Sequence, residues 1–298
     1  MTPIRAITIL FASLALISIA DAQKGKPGGG GGTTPPPPYS PVVVNVACDG
    51  TGTKLQDALN ALNPVANVYE VRVSGVCPES LVINGFAGLT LTSPTAGSAS
   101  TIGRIESGTS GFGSKITIRN LNLSSDYLAA AMYIFDSEIQ AEDVVFVCTT
   151  RDGCANLITA FQSKIRTSGL RSENFIQGGA ISVDRHSFAF IGMASRTNPE
   201  FSCSDLDLLR SRRGSYVSYT SEGGTTLNNQ PCNVNRVTAE FGGEIFLVNQ
   251  GLTDVFTVEG GSVYGGNTLG GRWYGAVSCA PYSVVSDIED PTVNRCVP

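Results

Sequence analysis

Histidine and tryptophan occur once each in this 298-residue sequence, methionine three times, and no Cys-x-x-Cys pair is present. With His186 as the only imidazole, a Cys/His zinc site has too few ligands to close, and the eight cysteines are better read as disulfide partners. Beyond the first twenty residues no apolar run approaches the roughly 20 residues that a membrane-spanning helix needs. Positive charge is in short supply. Lys and Arg number 20 against 25 Asp and Glu, a formal net charge of −5, and such a surface is a poor partner for nucleic acid. The glycine pairs at 260/261, 265/266 and 270/271 lack the following Lys-Ser/Thr of a phosphate-binding loop, so they fit tight corners or bulges rather than a nucleotide cradle.

The chain opens on Arg5, an apolar stretch from Ala6 to Ala20, and the small-x-small triplet Ala20-Asp21-Ala22. This pattern predicts a secretory signal peptide over residues 1–22, cleaved after Ala22, and a secreted chain, extracellular or periplasmic, that begins at Gln23. The first cysteine, Cys48, lies too far from that point for a lipid-modified N-terminus. Residues 23–41 are a glycine block followed by polyproline, a composition that spaces or tethers and buries no core. Residues 42–298 then form one structured domain. All eight cysteines fall within it, as an oxidising compartment allows.

Within that domain segments repeat at intervals of about 23 to 27 residues. Gly88 to Pro94, Lys115 to Leu121, Glu138 to Val144, Lys164 to Leu170 and Ser187 to Met193 align without gaps, each with the alternation of a half-buried strand. One inward column is expected to hold Leu89, Ile116, Ile139, Ile165 and Phe188. A second holds Leu91, Ile118, Ala141, Thr167 and Phe190, with Thr167 its polar exception. Two residues on, Ser93, Asn120, Asp143, Gly169 or Gly192 marks a corner where left-handed backbone is tolerated. A further strand follows in each repeat through Met132 and Ile134, Ile158 and Ala160, then Ile181 and Val183. Short strands that advance one strand spacing per turn build a parallel β-helix, and the domain has room for about nine or ten coils. The repeat is hard to phase after Ser195.

A solenoid needs covers on its open ends. Thr53 to Gln56 has the pattern of a capping box, and Leu55, Ala58, Leu59 and Leu62 share one helical face, ended by Asn63-Pro64. The expected fold is therefore all-β, a right-handed parallel β-helix with an N-terminal capping α-helix. In its order of secretion signal, first strand (Val42 to Val46), capping helix, cysteine-containing coil (Val71 to Cys77) and repeated coils, the chain resembles the right-handed parallel β-helix, or pectate-lyase-like, superfamily. The resemblance implies an elongated groove and polysaccharide as a frequent ligand.

Candidate chemistry is sparse. Ile181 to His186 is similar to the hydrophobic-Asp-His stretch of pectate lyases, with Arg185 inserted between Asp184 and His186. That resemblance implies Ca²⁺ held by carboxylates and a basic residue as proton acceptor, but the Arg-x-Pro-x-x-Arg stretch that supplies the base is absent. The alternative for His186 is a solvent-facing corner. Glu142 and Asp143, with Arg119 and Asn120 one coil earlier, read either as an acid pair beside a sugar-orienting arginine or as a solvated corner with an Arg-Glu ladder. Asp205, Asp207, Arg210, Arg212 and Arg213 read as a charged loop projecting from the solenoid, where arginine forks hold acidic sugars or simply face water. Trp273 and Tyr274 offer a flat face for a sugar ring or cover the last coil.

Three functions follow for such a chain: non-catalytic binding or display at an extracellular or cell-envelope surface with polysaccharide as ligand, a polysaccharide lyase or glycoside hydrolase, or an adhesin- or tailspike-like assembly protein. Only the lyase reading calls for a cofactor, Ca²⁺. A solenoid brings together residues of the same or neighbouring coils, so the cysteines are expected to pair in sequence order: Cys48 with Cys77, Cys148 with Cys154, Cys203 with Cys232, and Cys279 with Cys296.

Overall fold

The computed structural model describes residues 40–94, 100–125, 130–149, 154–173, 175–193, 206–221, 234–248, 253–266, 274–287 and 294–296. The expected signal peptide and nearly all of the linker lie outside these residues. What they form is a parallel β-solenoid: every strand pairing among them is parallel, in one sheet of 14 strands and another of 9.

From Leu89 to Glu173 each coil has three sides. Leu89–Thr92, Lys115–Arg119 and Glu138–Glu142 stack on the first side, and Thr101–Ile102, Asn122–Ser125 and Val145–Cys148 on the next. The long strands Tyr69–Cys77 and Lys164–Glu173 run round the corner and pair with both, which joins the two sides into the 14-stranded sheet. The third side is the 9-stranded sheet, which begins with Leu81–Ile83, Ile105–Ser107 and Met132–Phe135. After Glu173 the described strands alternate between the two sheets, from Phe175–Asp184 and Phe188–Met193 to Tyr274–Cys279 and Val284–Asp287.

The core follows from the pleat. Leu89, Ile116, Ile139 and Ile165 are neighbours in register, and each is at most 2% exposed. Met132, Ile158 and Ile181, then Ile134, Ala160 and Val183, form the expected facing columns and are fully buried. Removing a Leu or Ile side chain from water contributes about 1.5–3 kcal/mol, and one continuous core collects these contributions along the stack. Thr167 earns its place inside differently: its Oγ1 accepts the Gly192 N–H at 3.0 Å beside a register irregularity between Thr167 and Leu170. Asn120, Asp143 and Gly169 take the left-handed conformation expected of the corner, with φ of 53°, 51° and 64°.

Phe188 and Phe190 do not point inward. Phe188 pairs with Lys164, not Ile165, and the inward residues are Ala189 and Ile191. The cause lies in the preceding corner. A column of serines turns the chain there: Ser137, Ser163 and Ser187 accept the backbone N–H of Ser114, Ser137 and Ser163 at 3.0–3.2 Å, and Ser187 in turn donates its own N–H to Ser215. The hydroxyls of Ser137 and Ser163 reach back two residues to the carbonyls of Phe135 and Phe161, whereas that of Ser187 reaches back three, to Asp184. This corner therefore holds one more residue, with both Arg185 and His186 at positive φ. A one-residue slip exchanges the two faces of a strand.

Successive serines lie 23, 26, 24 and 28 residues apart. Two successive coils of 28 residues, from Phe188 to Tyr216 and from Tyr216 to Glu244, followed by the much shorter one between Glu244 and Ser262, explain why fixed-interval phasing fails after Ser195.

The capping helix spans Lys54–Asn60 and buries Leu55 and Leu59 on the core, with Ala58 and Leu62 partly buried beside them. Its capping box does not form: Thr53 makes no side-chain cap, and its hydroxyl donates to Asp57. Glu79, from the loop after Cys77, instead accepts the N–H groups of Leu55 and Gln56 at 2.7 and 3.3 Å. Gln56 is thereby freed to pair with the edge of Leu81–Ile83, accepting Val82 N–H at 2.7 Å and donating to Val82 O at 3.2 Å. A side-chain amide thus occupies the place of a neighbouring strand.

Cys48–Cys77, Cys148–Cys154 and Cys279–Cys296 are bonded as expected. Cys203 and Cys232 lie outside the described residues.

Candidate functional site

Of the carboxylates singled out from sequence, Glu142, Asp184 and Asp207 are engaged by arginines. Arg119 and Glu142 are partners in register, and the guanidinium donates to Glu142 through Nε at 2.7 Å and Nη2 at 3.5 Å, with Gln140 adding a third donor at 2.5 Å. Asp143 sits at the left-handed corner beside Gly169, where a Cβ would collide with its Oδ1. The geometry is that of an Arg-Glu ladder on the rim of the sheet, bidentate and solvent-exposed.

Asp184 is 4% exposed; its Oδ1 accepts the Arg185 N–H at 2.8 Å and its Oδ2 lies 3.2 Å from Arg213. The exposed ring of His186 lies over Gly214, where a Cβ would come within 2.7 Å of Nδ1. Arg210 and Arg212 converge on Glu240, at 3.8 and 2.7 Å, and Arg236 holds Asp207 at 2.6 Å. These residues do not form a projecting loop: Leu206–Arg212 is a strand of the 9-stranded sheet, paired on both sides. Its alternation is disguised because Ser211, buried against the Ser215 carbonyl, stands where an aliphatic residue is expected. Asp205 and Trp273 lie outside the described residues, and of Tyr274 only the backbone, at the start of Tyr274–Cys279, is described.

The sequence candidates therefore fall into separate groups, with Arg119 and Glu142 on one sheet and Asp184, Arg210, Arg212 and Arg213 at the other. Among the described residues no group of three or more His, Cys, Asp or Glu gathers where it could hold a metal ion, which leaves Ca²⁺ without a visible ligand set.

The slip that ejects Phe188 and Phe190 assembles a different site. Both rings stand on the outer face of the 14-stranded sheet, 52% and 42% exposed. Tyr216 follows one coil later, with ring centroids 6.4 Å from Phe188 and 5.8 Å from Phe190. Phe246 lies 5.3 Å beyond Tyr216, and Tyr264 4.8 Å beyond Phe246 in a stacked pair. The register places Phe190, Ser218, Phe246 and Tyr264 in one column and Phe188, Tyr216, Glu244 and Ser262 in the column beside it. Five aromatic residues thus form a ladder across four consecutive rungs, running along the solenoid axis. Arg166, on the preceding rung, closes one end with its guanidinium 5.7 Å from the Phe190 centroid. Burial among the rings pushes the Tyr216 phenol above its usual range; a hydrogen bond with Ser218 opposes the rise and the Glu244 charge adds to it.

Phe188 and Phe190 are exposed and Tyr216, Phe246 and Tyr264 half-buried on this face, which makes the ladder the candidate site. Its sequence signal was the phenylalanine pair at 188 and 190, misplaced by one residue, followed at coil spacing by Tyr216, Phe246 and Tyr264. Comparison with protein-family models, with curated proteins and with solved structures finds no match to this chain.

Proposed function

We propose that the chain is an exported β-helix protein, related in kind to the pectate-lyase-like superfamily, that binds polysaccharide without cleaving it at an extracellular or cell-envelope surface. The ladder of Phe188, Phe190, Tyr216, Phe246 and Tyr264 carries the reading. Sugar rings present apolar C–H faces between polar hydroxyl rims, and an aromatic stripe bordered by Ser218, Glu244 and Ser262 answers both. The carboxylates that a lyase or hydrolase needs free, Glu142 and Asp184, are engaged by arginines. Three disulfides suit an oxidising compartment.

A glycan array probed with the purified mature protein, run beside an absorbance assay for unsaturated uronate products, tests the reading. Retention on glycan without product, weakened in Phe190→Ala and Tyr216→Ala, is expected. Product formation that Asp143→Asn or Asp184→Asn abolishes would establish the lyase alternative instead.

A further inference from the structure

We infer that the ligand of this ladder is a neutral, extended glycan of the β-1,4-linked type, lying along the solenoid axis with about one sugar per rung. The inference rests on the glycan-binding reading above and adds the charge, shape and direction of the polymer. Charge is decided by composition. The four rungs that carry the rings, Phe188–Met193, Tyr216–Ser221, Glu244–Val248 and Ser262–Gly266, contain a single formally charged residue, Glu244, and it is negative. The preceding rung supplies Lys164, 3.7 Å from the Glu138 carboxylate, and Arg166, whose single positive charge stands over Phe190 at one end of the ladder only. A uronate polymer would bring one carboxylate per residue to this surface, next to Glu244 and with no uncommitted cation in the ladder rungs to meet it.

Shape and direction follow from the fold. Parallel rungs repeat at about 4.8 Å, close to the rise per residue of an extended β-1,4-linked chain, so sugars laid along the axis meet at least one aromatic ring on each of the four rungs, in one column or the other. A chain laid along the strands would meet rings only at Phe188 and Phe190 before leaving the stripe. Hydroxyls at the chain's edges find Ser218, Glu244 and Ser262 in the same rungs.

Isothermal titration of the mature protein with cello- and manno-oligosaccharides of increasing length, and with oligogalacturonates, reads each part separately. Affinity for the neutral series is expected to climb with length to about four sugars and then level, one for each rung at the strand spacing. Oligogalacturonates should bind at least about tenfold more weakly, and Phe190→Ala should cost about tenfold on the neutral series, as loss of one exposed aromatic contact does. Gln140→Ala, on the same face but below the ladder, serves as the folded control and should bind as the parent does. Oligogalacturonates bound more tightly than neutral chains, with Phe190→Ala still damaging, would overturn the neutral ligand while leaving the ladder as the site. An affinity that stops rising at two sugars would overturn the axial direction. Binding that Phe190→Ala leaves untouched would overturn the ladder as the site, and no binding to either series would overturn the glycan reading itself.

Discussion

Ile139 points inward between Ile116 and Ile165, 1% exposed, with its Cα paired to both. Replacing it with Asp buries a carboxylate without a partner, and several kcal/mol of stability should be lost in thermal or denaturant melts. Asp143, four residues along the same coil, gives the contrast. Its φ of 51° is one that Asn accepts as readily as Asp, so Asp143→Asn should change stability by less than about 0.5 kcal/mol. An Ile139→Asp protein that melts like its parent would contradict the stack of isoleucines. Both residues were legible in the sequence because alternation and a turn-favouring residue recur there at the same offsets in three consecutive coils.

The corner between the sheets is an element in its own right, built from serines that alternation does not reveal. Ser114, Ser137, Ser163 and Ser187 are all buried, and each backbone N–H is taken by the hydroxyl of the next coil. Ser163→Ala removes the acceptor for Ser137 N–H and the donor to Phe161 O at 2.6 Å, inside a corner closed to water. Leaving the buried N–H unpaired should cost about 1–3 kcal/mol, and hydrogen exchange should report the loss first at the Ser137 amide. Unchanged protection there would mean that the ladder contributes little to the turn. The same element sets the register of the following strand, and through it the placement of Phe188 and Phe190. The capping helix shows a second tertiary substitution, since Glu79 rather than its own Thr53 satisfies the first-turn N–H groups.

At the scale of the whole molecule the solenoid couples only neighbours, so its ends are held by local devices. Cys48 lies opposite Gly75 in the first parallel pair, and its bond to Cys77 closes a loop 29 residues in sequence that contains the whole capping helix. Cross-linking a loop of that length contributes about 2–4 kcal/mol. The double variant Cys48→Ser/Cys77→Ser should lose that amount, with hydrogen exchange accelerating first in Val42–Asp49 and Lys54–Asn60 while Ile116 to Ile165 stays protected. Uniform acceleration along the chain would show instead that the end and the centre unfold as one unit.

The sequence by itself determined the solenoid, the capping helix, the inward columns from Leu89 to Ile165 and the partners of the described cysteines. Each of these rests on periodicity or proximity along the chain, and a repeated coil converts sequence spacing directly into spatial stacking. Only the tertiary structure decided where one extra corner residue enters, at Arg185 and His186, because that choice depends on Ser187 keeping its bonds to coils on either side. It likewise decided that Asp184 meets Arg213, and that Leu206–Arg212 is a strand with Ser211 in its core column, whereas the Arg119–Glu142 ladder was one of the two readings that coil spacing already offered. The aromatic ladder belongs to this second group: its rings come from four coils, and whether they line the core or face outward turns on a slip of one residue, which alternation alone does not fix.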